Sequence, residues 1–98
     1  MARGPGQSFR LSANGVPIRG TTLVQIGKAA ATHFVEHGFS TPLIVTDSWD
    51  NTYVALRRVA DTDVIELQRS VTSLTWPIWA PALVAQLRIN NVNTKEVA

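Results

Sequence analysis

Apolar and polar residues first alternate at Phe9, Leu11 and Ala13, with Arg10 and Ser12 between them. A period of two describes a strand that buries one face. Asn14-Gly15 then supplies the pair that tolerates positive φ, as a type I′ hairpin turn requires. Closing that turn predicts Ala13 opposite Val16 and Leu11 opposite Ile18, with Arg10, Ser12, Pro17 and Arg19 on the other face. Pro17 has no N–H to give to a ladder, so the second strand carries an unpaired side or a local irregularity there.

The period changes at Thr22. Leu23, Ile26, Gly27, Ala30 and Phe34 fall on one stripe at helical spacing, and Gln25, Lys28, Thr32 and Glu36 lie opposite. Thr22 with Gln25 three residues on has the form of a capping box, and Gly38 suits a helix end. A helix over Thr22–His37 follows. Gly27 and Ala31, small and one turn apart, predict that it sits close on a sheet.

Three more strands are predicted, over Leu43–Thr46, Thr52–Val59 and Val64–Arg69, linked by turn-forming residues at 47–51 and 61–63. If Val54, Leu56, Ile65 and Leu67 face the helix, Tyr53, Arg57, Glu66 and Gln68 face outward and Arg58 sits on the inner side. The run Trp76-Pro77-Ile78-Trp79-Ala80-Pro81 excludes regular helix. Pro81, at a favoured first helical position, opens a short helix to about Ile89, with a strand as the alternative for part of it. The expected fold is α+β: a small antiparallel sheet of about four or five strands, in the order β-β-α-β-β-β, with one main helix on one face and a short C-terminal helix. Residues 1–7 read as a flexible arm, 8–92 as a single domain and 93–98 as a loose tail.

Composition narrows the picture. The chain has 98 residues, 45% hydrophobic and 16% charged, which favours folding over disorder. It has no cysteine, so a disulfide framework, a thiolate-held metal and a thiol nucleophile are all excluded. The longest uncharged stretch, Ser70–Leu87, is broken by Pro77 and Pro81 and makes a poor membrane span. The N-terminus has no apolar signal region, so the expected location is cytoplasmic. A net charge of +2 permits contact with nucleic acid without implying it.

Candidate chemistry is sparse. His33-Phe34-Val35-Glu36-His37 resembles the H-x-x-E-H pattern of inverzincin metalloproteases over five residues. Such families are far larger and hold a further acidic ligand on another helix. Here the motif lies in the last helical turn, and His33 and His37 read as boundary residues. They are weak metal candidates, and no metal or other cofactor is expected. Asp47 with Asp50, and Asp61 with Asp63, read as turn residues that bond their own backbone. No G-x-S-x-G and no glycine-rich phosphate loop occurs, so a catalytic site would have to be assembled in three dimensions.

Two surfaces remain. Arg10, Arg19 and Arg57, with Tyr53 to stack, give one sheet face a basic stripe suited to nucleic acid, interrupted by Glu66. Trp76, Ile78 and Trp79 form an uncharged cluster, with Trp49 as a further aromatic. A tryptophan covers roughly 150–250 Å², so these residues either close the core or anchor an interface. The leading expectation is a non-enzymatic protein-interaction module, an inhibitor or accessory protein, binding another protein and itself as a homodimer. A nucleic-acid-binding protein is the first alternative, and a small enzyme with a site built across an oligomer interface is the second. In size and element order alone the chain looks like small phage-encoded inhibitors of host defence; no motif carries that likeness.

Overall fold

The computed structural model describes residues 8–48, 52–70 and 75–97, with the backbone alone at 19 and 20. The arm expected at 1–7, together with Trp49 and Asp50, lies outside the described residues. The elements are β1 (Phe9–Ala13), β2 (Val16–Thr21), α1 (Leu23–His37), β3 (Leu43–Asp47), β4 (Tyr53–Arg58), β5 (Ile65–Arg69) and α2 (Ala80–Ile89). The strands form one five-stranded sheet in the order β2-β1-β3-β4-β5, antiparallel at every junction. The fold class is therefore α+β, as the patterning predicts. Among the described residues no helix is long and apolar enough to cross a membrane.

Alternation sets the layers. Leu11, Val45 and Val54 stand in one cross-strand row, and Leu43, Leu56 and Leu67 in the next. Their side chains join Ile26, Ala30 and Phe34 of α1 and Leu83, Val84 and Leu87 of α2 in one buried cluster. Both helices thus cover the same face. The other face carries Arg10, Ser12, Ile44, Thr46, Tyr53, Ala55, Arg57, Glu66 and Gln68, and no described helix lies over it.

The hairpin departs from its predicted register. Asn14 and Gly15 take positive φ, and Ala13 pairs with Val16. Beyond Ser12↔Pro17, however, the pairing shifts and Leu11 meets Arg19. Ile18 is the extra residue of a bulge, and it follows the proline that cannot bond to a ladder. Because β2 is an edge strand, the sheet tolerates both.

The capping box at the start of α1 is half formed. Thr22 Oγ1 accepts from the Gln25 N–H at 3.3 Å. The Thr22 N–H goes to the Thr21 hydroxyl, not to the Gln25 side chain. At the other end Gly38 takes φ +78°, and Phe39 stacks on Phe34 with ring centroids 5.0 Å apart. Gly27 makes a close approach, but to α2 and not to the sheet. A Cβ built there would lie 2.9 Å from Gln86 Cβ, so only glycine lets the two helices cross at this depth.

α2 begins at Ala80, one residue before the predicted proline, and ends in a Schellman motif. Asn91 adopts φ +66°, the Val92 N–H bonds Leu87 O at 2.9 Å and the Asn91 N–H bonds Arg88 O at 3.0 Å. The following residues run back along β5. Ile65 N–H donates to Asn93 O at 2.8 Å, and Lys95 N–H donates to Ile65 O at 2.9 Å. Arg88 holds this strand from α2 through two bonds to Thr94 O, at 3.0 and 2.7 Å.

Candidate functional site

The tryptophan segment enters α2 through a tight turn in which the Ala80 N–H bonds Pro77 O at 3.0 Å and the Leu83 N–H bonds Trp79 O at 3.0 Å. Trp79 itself is interior, with 6% of its surface exposed. Its indole N–H donates to Asp47 Oδ2 at 3.0 Å, and its ring meets Phe9 edge-on with centroids 5.1 Å apart. Phe9 and Asp47 face each other across β1 and β3, so one indole grips a single cross-strand pair. A buried indole N–H needs an acceptor, and a buried carboxylate needs donors. Asp47 is thus corrected from a turn residue to the buried last residue of β3.

Ile78, the residue before Trp79, projects outward and is 94% exposed, whereas Ala80 after it is buried. Trp76 is half-buried against the core, with the Arg69 guanidinium carbon 5.7 Å from its ring centre. The cluster read from the sequence is therefore divided. Trp79 closes the core, Trp76 lies at its margin and Ile78 projects from a turn whose two sides are both held.

Arg10, Tyr53 and Arg57 lie on the uncovered sheet face. Arg10, Thr46 and Tyr53 stand in one row across β1, β3 and β4. Arg57 lies on the same face beside Glu66, bonding Gln68 Oε1 at 3.4 Å. The Glu66 carboxylate lies 4.0 Å from Lys95 Nζ. The Arg19 backbone pairs with Leu11.

A third feature is a groove of about 680 Å³ between α1 and the hairpin. Val16, Pro17 and Ile18 form one wall, and Gln25, His33 and His37 line the other. The bulge and the proline make this wall, while the half-formed cap leaves a polar atom beside it. Among the described residues, Gln25 Oε1 is a buried oxygen that accepts no hydrogen bond. Sequence reasoning missed the groove: its residues are spread over three elements, and no local spacing joins them. The aspartates at 61 and 63 stay in their exposed turn, where Thr62 makes the side-chain bonds to the backbone. Among the described residues, no three histidine, aspartate or glutamate side chains gather as metal ligands. No known protein family, curated protein or solved structure matches the chain, so function has to be argued from this geometry.

Proposed function

We propose that this chain is a small non-enzymatic protein-interaction module, an inhibitor or accessory protein of the cytoplasm, that docks through the turn carrying Ile78. The reading rests on one observation. A large aliphatic side chain is 94% exposed on a turn that the buried Trp79–Asp47 bond holds in place. An isolated exposed isoleucine on a mobile loop is unremarkable. One fixed between a half-buried tryptophan and a buried one is pre-organised, so little ordering cost remains when a partner pocket closes over it. The first partner to consider is a second copy of the chain. Edge-to-edge pairing is disfavoured, since Pro17 and its bulge blunt β2 and residues 93–95 occupy part of the outer side of β5. Association through the turn is left as the simplest route. Sedimentation velocity tests it: the wild type is expected to dimerise, and Ile78→Asp to remain monomeric with an unchanged far-UV spectrum. A dimer indifferent to Ile78→Asp contradicts the reading.

A second reading is favoured by the Arg10–Thr46–Tyr53 row. A cation and an aromatic ring two strands apart on an uncovered sheet face suit a phosphate and a stacked base. Its signature is an affinity that falls steeply with salt, with a slope of about −0.9 per phosphate neutralised on duplex DNA. A salt-independent signal counts against it.

A further inference from the structure

We infer that His33 and His37 form a two-histidine binding site for a divalent transition-metal ion, of the zinc, nickel or copper(II) class, at the C-terminal end of α1. Residues four apart on a helix project to one side, and here the two imidazoles have come together, with ring centroids 4.6 Å apart and planes tilted by 34°. Two imidazoles bound cis to one ion, through nitrogens about 2.0–2.1 Å from it, have centroids roughly 4.5–5 Å apart. The observed centroid spacing falls within that range. Neither ring is hidden from an incoming ion. His33 is half-buried and His37 exposed, and both line the open groove.

Charge around the pair favours a cation on balance. The last carbonyls of α1 carry the negative end of the helix dipole. Glu36 Oε1 lies 4.0 Å from His37 Nε2. Lys28 lines the same groove and opposes the ion, but it sits more than one helical turn before His33. Imidazole is a ligand shared by zinc, nickel and copper, whereas calcium and magnesium prefer oxygen, which sets the class of ion. With no third histidine or carboxylate gathered among the described residues, the protein supplies two positions. Water or a ligand seated in the groove supplies the rest. This is an open, exchangeable site and not a closed structural one.

The test uses the full chain, free of any histidine tag, titrated with zinc chloride and, separately, with copper(II) chloride. The expected result is saturable binding of one ion per chain by calorimetry, with the ring-proton signals of His33 and His37 shifting together in the zinc titration. His33→Gln and His37→Gln are each expected to weaken binding by about ten-fold or more, while Glu36→Gln changes it by no more than about three-fold. Both histidines lie at the helix surface, and circular dichroism of each variant shows whether α1 has stayed intact. Absence of saturable binding overturns the inference. So does affinity that survives both histidine substitutions, or a titration in which only one imidazole responds.

Discussion

On the β3–β5 flank, directed bonds as well as apolar contact hold α2 to the sheet. Trp79 donates to buried Asp47, the Schellman turn returns the chain at Asn91, and Arg88 fastens residues 93–95 beside β5. On the β1–β2 flank, α1 packs through Ile26, Ala30 and Phe34, but the bulged edge strand leaves Val16 64% exposed and a groove open beside it. The same sheet is thus closed tightly on one side and loosely on the other. The tight side is where an apolar side chain can be displayed without moving, and the loose side is where a small ligand finds room. Pre-organisation belongs to the first and accessibility to the second.

Breaking the tight flank has the largest expected effect. Trp79→Ala removes the ring from Phe9 and leaves the Asp47 carboxylate without that donor, and it is expected to cost about 3–5 kcal/mol in urea unfolding. Trp79→Phe separates the two contributions. It keeps most of the packing and loses the N–H, for an expected cost of about 1–3 kcal/mol. A Trp79→Phe variant as stable as the wild type contradicts the role given to the buried bond. On the loose flank, Val16→Thr is expected to change stability by less than about 0.5 kcal/mol, because the side chain it alters touches mostly solvent. A large loss there erases the difference between the flanks.

Local signals in the sequence carried α1 and the layering of the sheet. The Thr22 cap, the stripe from Ile26 to Phe34 and the Gly38 stop are all short-range, and the alternation at Val54, Leu56, Ile65 and Leu67 assigns each to the inner face. Pro17 announced an irregularity, but periodicity carries no mark of which residue a bulge inserts. The backbone register beyond Ser12 therefore differs from the regular hairpin expected. Asp47 looked like a turn former because its neighbours are, and its true partner lies 32 residues away. Gly27 was read as a close-approach residue, which it is, but its neighbour proved to be Gln86, since one stripe cannot say which element faces it. The tryptophans posed the same difficulty. Trp76 and Trp79 are chemically alike in the sequence, and the partners that distinguish Trp79, Asp47 and Phe9, lie far from it along the chain.

Ile78 is proposed here as a contact surface held ready by a buried anchor. Its most direct test is position-specific photo-crosslinking, with a benzophenone side chain at 78 and, as a control in another exposed turn, at 61. Both are irradiated as purified chain and in nuclease-treated lysate of cells that make the protein. A discrete protein adduct is expected from position 78, with the chain itself or with one partner, and none from position 61. Equal labelling from both positions, or no adduct from position 78 in either setting, contradicts it.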